Sequence, residues 1–258
     1  MKKTKAGQSA ACDIIIVAGQ SNAEGCGAGP AERPFEPDGR VQVMSQKENK
    51  FSRFKFADPA ERVWAGKPCG NFWLPFVREY VESGRLRPGR GLLIVQAAVG
   101  GTGFADHRWG PEDDLYINML KMIKAALALN LKNELKALLW HQGETDCGTD
   151  EQTHAAHLET LLRGVREKFG VPALPFVAGD FVQHWKRDNP GHTESVVAAI
   201  RSVCGSAGSA AFVETDGLLS NDEVLGGGDN IHFSRAALEK LGRRYFEAYQ
   251  NLTMGDAS

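Results

Sequence analysis

Five short runs of almost continuous apolar residues divide the chain, and each ends in glycine, polar residues or both. Continuous apolarity, without alternation, predicts strands that are covered on both faces, as in a parallel sheet. The runs cover residues 14–17, 92–97, 135–140, 174–178 and 210–214. We therefore predict a five-stranded, mainly parallel sheet.

Segments in which apolar residues recur at spacings of three and four separate these runs and predict helices. They cover residues 72–83, 115–131, 151–169, 194–204 and 235–252, and Ser234 is placed to cap the last one. The alternation of strands and helices predicts a three-layer α/β/α sandwich. In such a fold the ligand site lies at the carboxyl ends of the strands.

The long segment between Gly25 and Gly70 is rich in glycine and proline and contains one short strand-like stretch at residues 41–44. We interpret it as an insertion at the rim of the site. The chain shows no internal repeat, and we interpret residues 1–258 as a single domain. Residues 1–11 are expected to form a loose leader and residues 253–258 a frayed tail.

Charge and hydropathy narrow the classes of partner. Lysine and arginine number 30 and aspartate and glutamate 32, which gives a net charge of −2 and disfavours nucleic acid or an anionic membrane as a partner. We expect a small-molecule or oligosaccharide substrate, and the sequence carries no signal for an oligomeric state. No apolar stretch approaches the roughly 20 residues of a membrane span, and no export signal is visible, so we expect a cytoplasmic protein.

No metal site or cofactor is predicted. The five cysteines are an odd number without a C-x-x-C pair, which disfavours a disulfide framework or a zinc site. His154 and His157 share a predicted helix face at a spacing of three, but no third ligand accompanies them. We expect both histidines on a solvated face.

Ser21 directly follows the first apolar run, where α/β hydrolases place a nucleophile. A serine hydroxyl attacks carbonyls poorly unless a base removes its proton, and histidine suits that task near neutral pH. Of the seven histidines, only His232 has an acidic residue, Asp229, three positions earlier in a glycine-rich loop. We expect Asp229 to accept a hydrogen bond from Nδ1 of His232 and Nε2 to face Ser21.

An acyl-transfer site also needs donors for the oxyanion, and three strand ends offer them. The candidates are the Ser21 N–H, an N–H of Gly100 or Gly101, and the side-chain amide of Gln142. The sequence does not rank Gly100 against Gly101. Gln20 and Glu144 lie next to these positions in the sequence, and we add both to the candidate oxyanion-stabilising and substrate-binding residues. Glu144 has two alternatives, to orient His232 or to hold the Ser21 loop, and Asp229 is preferred as the orienting acid.

Four blocks in this order along the chain resemble the SGNH hydrolase superfamily and, more narrowly, the group of carbohydrate acetylesterase family six and sialate O-acetylesterases. The blocks are Gly19-Gln20-Ser21-Asn22, Gly100-Gly101, His141-Gln142-Gly143-Glu144 and Asp229-x-x-His232. The resemblance implies a flavodoxin-like sandwich and a serine esterase site without a cofactor. It implies Ser21 as nucleophile, His232 as base and Asp229 as its orienting acid.

The same resemblance implies Ser21, Gly100 or Gly101, and Gln142 as oxyanion donors. Gln142 stands where many SGNH relatives have asparagine, a departure that the carbohydrate-esterase subgroup shares. The implied activity is hydrolysis of O-acetyl esters on carbohydrates, of the acetylxylan, acetylated sugar or sialic acid type.

Of three alternatives to a carbohydrate acetylesterase, one stays open and two are disfavoured. An SGNH lipase or thioesterase acting on non-carbohydrate esters stays open, whereas intact Ser21, Asp229 and His232 disfavour a catalytically silent carbohydrate-binding relative. A G-x-S-x-G hydrolase is disfavoured because Ala23 replaces the last glycine. For a sugar substrate, six aromatic residues are candidates for a stacking wall. They are Trp64, Trp73, Phe104, His107, Trp109 and Trp185.

Overall fold

The computed structural model describes residues 10–36, 38–47, 50–64 and 66–254. Most of the predicted leader and the last four residues of the predicted tail therefore lie outside the described residues. Of the predicted tail, Thr253 belongs to the final helix.

Seven strands form the main sheet, in the order β3-β2-β6-β1-β7-β8-β9. Neighbouring strands are parallel except for β3, which runs antiparallel to β2 at the edge. Two further strands, β4 and β5, pair as a separate antiparallel hairpin. The strands are β1 (Cys12–Gly19), β2 (Val41–Lys47), β3 (Lys50–Ala57), β4 (Arg62–Trp64), β5 (Lys67–Cys69), β6 (Gly91–Gln96), β7 (Glu134–His141), β8 (Phe176–Gly179) and β9 (Ala210–Val213).

Helices connect the strands and cover the sheet. They are α1 (Ser21–Glu24), α2 (Trp73–Glu82), α3 (Asp114–Ala128), α4 (Glu151–Phe169), α5 (Gln183–Asp188), α6 (Glu194–Ser206), α7 (Asn221–Leu225) and α8 (Arg235–Thr253), with a 3₁₀ turn at Glu144–Asp146. Ser234 caps α8, because its hydroxyl accepts a hydrogen bond from the Ala237 N–H at 3.3 Å. None of the helices in the described part of the chain has the length and apolarity that a membrane span requires.

The strand β1 shows why continuous apolarity predicts a central strand. Ile14 and Ile16 pack into the core under α3, α4 and α6, whereas Ile15 and Val17 pack into the core under α2 and α8. All four side chains are fully buried, and burial of each stabilises the fold by about 1.5–3 kcal/mol. The α/β/α sandwich predicted from the sequence is confirmed.

The predicted number of strands is wrong. All five predicted strands are present as β1, β6, β7, β8 and β9, but β2 and β3 extend the sheet beyond β6. In β2 the exposed Gln42 lies between the buried Val41 and Val43, so the apolar run is interrupted. The edge strand β3 carries lysines, a common feature of edge strands. Residues 41–47 and 50–57 therefore belong to the sheet and are not an inserted rim.

Candidate active site

Three side chains predicted from the sequence form one hydrogen-bonded line at the carboxyl edge of the sheet. The Oγ atom of Ser21 lies 2.9 Å from Nε2 of His232, although the two residues are 211 positions apart. Nδ1 of His232 lies 2.8 Å from Oδ1 of Asp229. Ser21 opens α1 directly beyond β1, and His232 lies just before α8. The arrangement has the geometry of a nucleophile, a base and an orienting acid.

A sharp turn after β1 places Ser21. The Gln20 N–H donates a hydrogen bond to the His141 carbonyl on β7 at 2.9 Å. Gly19 has a φ of +126°, and a Cβ atom there would lie 2.1 Å from the same carbonyl oxygen. Only glycine fits this turn, because any side chain would collide with the backbone of β7.

Asn22 connects the nucleophile to two other loops. It is fully buried, and its Nδ2 donates to Oε1 of Glu144 at 2.9 Å and to the Ile231 carbonyl at 3.1 Å. Its Oδ1 accepts from the Phe233 N–H at 3.2 Å. Sequence reasoning missed this role, and the only signal was the place of Asn22 in the block beside Ser21.

The structure places Glu144 on the nucleophile side of the site. Its Oε1 accepts the bond from Asn22, while Nδ1 of His232 is engaged with Asp229. Burial raises the pKa of Glu144 above its ordinary value. The neighbouring His141 is also fully buried, which lowers its pKa to about 3, so its imidazole is neutral at neutral pH.

Asp229 is in a different environment. Partial burial raises the pKa of its carboxyl, but hydrogen bonds from His232 and Asn221, together with the charge of His232, outweigh that effect. The net pKa lies below its ordinary value, and Asp229 is ionised at neutral pH. A carboxylate at this place stabilises the imidazolium that forms when His232 accepts a proton.

The two candidate glycines differ in what their N–H groups contact. The Gly100 N–H donates to Oε2 of Glu24 at 2.9 Å, and Oε1 of Glu24 forms an ion pair with Arg62 at 3.1 Å. Gly101 has a φ of +68° and lines the cavity in front of Ser21. The Ser21 N–H lies in the first turn of α1, where N–H groups have no partner within the helix.

Gln142 is directed away from the cavity. It is fully buried, and its Nε2 donates to Oδ2 of Asp146 at 2.8 Å. Asp146 also accepts from the Phe104 and Ala105 N–H groups at 3.0 and 2.9 Å. Gln142 therefore supports Asp146, which holds the loop after β6, and Gln142 is not among the residues that line the cavity in front of Ser21.

Gln20 also makes a contact between loops. Its Oε1 accepts from the N–H and the hydroxyl of Thr145 at 3.2 and 3.0 Å. The side chain borders the cavity but is almost fully buried. Gln20 therefore joins the turn after β1 to the loop after β7.

A cavity of about 1230 Å³ opens in front of Ser21 and His232. The segment after α1 forms one wall, the β4–β5 hairpin a second, and the loop between α7 and α8 a third. Further lining residues from these walls are Cys26, Ala28, Gly29, Arg62, Lys67, Pro68, Cys69, Leu225 and Ile231. All five cysteines are free thiols, including the two in these walls.

The prediction of an aromatic wall for a sugar ring is wrong for the five candidates whose side chains the structure describes, because none of them lines the cavity. Trp73, Phe104 and Trp109 are buried in the core, because large rings there cover the sheet. Trp185 packs on Phe181, and His107 is exposed outside the cavity. The side chain of Trp64 lies outside the described residues.

The prediction that His154 and His157 lie on a solvated face of α4 is confirmed for His157 and wrong for His154. His157 is exposed, but His154 is buried beside the ring of Phe104. Within the part of the chain that the structure describes, no group of three or more histidine, cysteine, aspartate or glutamate side chains is arranged to hold a metal ion.

Two curated proteins are similar to the chain over part of their length. A probable 9-O-acetyl-N-acetylneuraminic acid deacetylase of Escherichia coli (strain K12) is 28% identical over 131 residues, which is 41% of this chain and 40% of that protein. A probable carbohydrate esterase of Arabidopsis thaliana, At4g34215, is 25% identical over 158 residues, 60% of this chain and 54% of that protein. The matched regions thus span about half the length of these relatives or less.

Solved structures share the fold over nearly the whole chain. The crystal structure of NanS has a TM-score of 0.77 at 20% identity and covers 95% of this chain and 98% of that one. The structure of At4g34215 from Arabidopsis thaliana has a TM-score of 0.72 at 22% identity and covers 93% of this chain and 98% of that one.

A family model described as carbohydrate esterase, sialic acid-specific acetylesterase matches residues 11–251. This match confirms the resemblance drawn from the four sequence blocks. The chain therefore belongs to the family of sialic acid-specific acetylesterases, a family of carboxylic ester hydrolases.

Proposed function

We propose that the chain hydrolyses O-acetyl esters of carbohydrates through an acyl-enzyme formed on Ser21. The observation that carries the proposal is the line from Asp229 through His232 to Ser21, with contacts of 2.8 and 2.9 Å, which faces a cavity of about 1230 Å³. Family membership supports the same reaction class.

In the first half of the reaction, Oγ of Ser21 attacks the acetyl carbonyl carbon while its proton moves to Nε2 of His232. Asp229 accepts the hydrogen bond from Nδ1–H and stabilises the imidazolium. We assign the oxyanion to the N–H groups of Ser21 and Gly101, because the Gly100 N–H is engaged by Glu24.

Collapse of the tetrahedral intermediate breaks the bond between the acetyl carbon and the sugar oxygen. His232 gives its proton to that oxygen, the sugar leaves as an alcohol, and the acetyl group remains on Ser21. Water then attacks the acetyl-serine while His232 accepts a proton from it. Acetate leaves, and the proton returns to Ser21.

We further propose that the sugar is acidic, of the sialic acid type. The β4–β5 hairpin presents two cations to the cavity, Arg62 and Lys67. Arg62 is paired with Glu24, whereas no ion pair of Lys67 occurs among the described residues. A substrate carboxylate beside Lys67 would gain a charge-assisted hydrogen bond, and a neutral sugar such as xylose would not.

The acyl-enzyme is tested with Ser21→Ala. We expect kcat for acetate release from p-nitrophenyl acetate to fall by about 10⁴-fold or more, because nucleophile and base act as a unit. A fluorophosphonate should label the unsubstituted protein and not this variant. Ser206→Ala, at the exposed end of α6, is the matched control. Native turnover by Ser21→Ala would overturn the proposal.

The acidic sugar is tested with Lys67→Met. Because exposed ion pairs contribute about 0.2–1 kcal/mol, we expect KM for a 9-O-acetylated sialic acid to rise by about 1.4- to 5-fold. KM for acetylated xylo-oligosaccharides and for p-nitrophenyl acetate should not change. Lys121→Met, on the exposed face of α3, is the control. An equal effect of Lys67→Met on all three substrates would contradict a carboxylate contact.

A further inference from the structure

The segment that carries Asp229 has little packing of its own. Gly226, Gly227 and Gly228 precede it with φ values of +71°, +97° and +84°, and an added Cβ at any of them would meet no atom within 4 Å. The Asp229 side chain itself is 40% exposed. Because the three glycines have no side chains to pack and the carboxyl is partly exposed, hydrogen bonds fix the direction of this carboxylate.

Asn221 supplies such a contact. This residue begins α7 and is only 4% exposed, and its Nδ2 donates to Oδ2 of Asp229 at 2.8 Å. The other oxygen, Oδ1, lies 2.8 Å from Nδ1 of His232. The two oxygens of the carboxylate are therefore held from two sides, one by the base that it orients and one by Asn221.

The same amide group also binds the opposite wall of the cavity. Its Nδ2 donates to the Cys26 carbonyl at 3.0 Å, and its Oδ1 accepts from the Ala28 N–H at 2.8 Å. Both amide hydrogens and the amide oxygen are thus in use. Only a primary amide of this length supplies two donors and an acceptor here, because aspartate lacks the donors and serine is too short.

The backbone of Asn221 is itself well fixed relative to His232. Its N–H donates to the His232 carbonyl at 2.9 Å. Ser220 caps α7 in a reciprocal arrangement with Glu223, in which the hydroxyl accepts from the Glu223 N–H at 3.0 Å and the Ser220 N–H donates to Oε2 at 2.8 Å. A short, capped helix therefore presents the amide at a constant position.

We propose that Asn221 is a positioning residue, which holds Asp229 in register with His232 and joins the acid to the Cys26–Ala28 wall of the cavity. The inference rests on the proposed serine esterase function. Asn221 acts through Asp229 and performs no proton transfer itself.

The sharpest variant is Asn221→Asp, which keeps the shape of the side chain but replaces both donors by a second carboxylate oxygen. We expect kcat with p-nitrophenyl acetate at neutral pH to fall about 10- to 100-fold, the usual effect of losing a hydrogen bond to a charged group, with KM within about twofold of the native value. Asn221→Ala should lower kcat less, because it removes the donor without adding a repulsive charge.

Asn221→Ala should also change the pH profile. The Asn221 bond is one of those that lower the pKa of Asp229, so its removal raises that pKa, and Asp229 loses its charge at a higher pH on the acid side of the profile. The matched control is Asn230→Ala, since Asn230 is next to Asp229 in the loop but donates to Asp188. This variant should keep native kcat and pH profile.

Native kcat and pH profile in Asn221→Asp would overturn the inference. A crystal structure of Asn221→Ala in which Asp229 keeps its 2.8 Å contact with His232 would also overturn it, whatever the turnover. Failure of the esterase proposal is a separate result, in which the unsubstituted protein hydrolyses acetyl esters no faster than Ser21→Ala. If Asn221→Ala does not fold, the nearly isosteric Asn221→Asp gives the decisive structure and rate.

Discussion

The two halves of the site lie at the same edge of the sheet but are stabilised differently. On the nucleophile side, the side chains of His141 and Glu144 are fully buried behind Ser21. On the base side, the side chains of His232 and Asp229 are 24% and 40% exposed. Packing against β7 fixes the first half, whereas hydrogen bonds between side chains and loops fix the second. The comparison teaches that one catalytic geometry combines a half that is fixed by burial with a half that is fixed by hydrogen bonds.

The largest expected difference between the halves concerns their glycines. Gly19→Ala places a Cβ 2.1 Å from the His141 carbonyl oxygen, whereas Gly227→Ala meets no atom within 4 Å. We expect Gly19→Ala to lower the free energy of unfolding by about 3 kcal/mol or more, and Gly227→Ala by about 1 kcal/mol from backbone strain alone. Urea denaturation measures both. Equal costs would contradict a closely packed turn at Gly19 and an openly packed loop at Gly227.

A smaller effect on the free energy of unfolding is expected at Asn22, the buried amide on the nucleophile side. Asn22→Ala removes three hydrogen bonds and leaves Oε1 of Glu144 without its donor. We expect a loss of about 2–4 kcal/mol in the free energy of unfolding. Asn230→Ala, on the exposed loop, should cost less than about 0.5 kcal/mol. Indistinguishable urea midpoints for the two variants would show that burial on the nucleophile side contributes no additional stability.

The smallest expected effects concern the pH dependence of stability, which has opposite signs at Glu144 and Asp229. Burial raises the folded pKa of Glu144 above its ordinary 4.5, so its stabilising contribution is present at low pH and is lost as the pH rises through the folded pKa. Asp229 has a folded pKa below its ordinary 3.8, so its contribution is present above that pH and is lost as the pH falls through the folded pKa.

Thermal melts of two isosteric variants across pH separate these contributions. Glu144→Gln should gain stability relative to the native chain as the pH rises above about 4.5. Asp229→Asn should lose stability relative to the native chain as the pH rises through the acidic range towards the ordinary value of 3.8. Melting curves that shift with pH in the same direction for both variants would contradict the contrast between the two halves.

The sequence predicts the parts of the fold that depend on hydrophobic patterning. The strand β1 is buried on both faces, so its residues had to be apolar at every position, and the pattern was visible. The edge strand β3 was missed because it carries lysines, and β2 was recognised only as a strand-like stretch at residues 41–44, because the exposed Gln42 interrupts its apolar run. Sequence patterns do not separate such strands from loops.

For the site, the sequence predicts which residue types meet but not how each side chain is oriented. The line of Ser21, His232 and Asp229 follows from spacing and strand ends, and the structure brings these residues together. The bond between Gln142 and Asp146 and the bond from Gly100 to Glu24 depend on which loops pack together. Asn221 carries no motif, so its three contacts were invisible before the fold was known.

The order of strands has a consequence during protein synthesis. The strand that leads to Ser21 is translated before both strands that pair with it in the middle of the sheet, where Cys12 pairs with Gly91 and Asp13 with Glu134. On the ribosome, this apolar strand is complete before either partner strand, and the imidazole of His232 is made 211 residues after Ser21. The nascent chain therefore exposes a strand prone to aggregation, and it gains a complete relay only when the last helix docks.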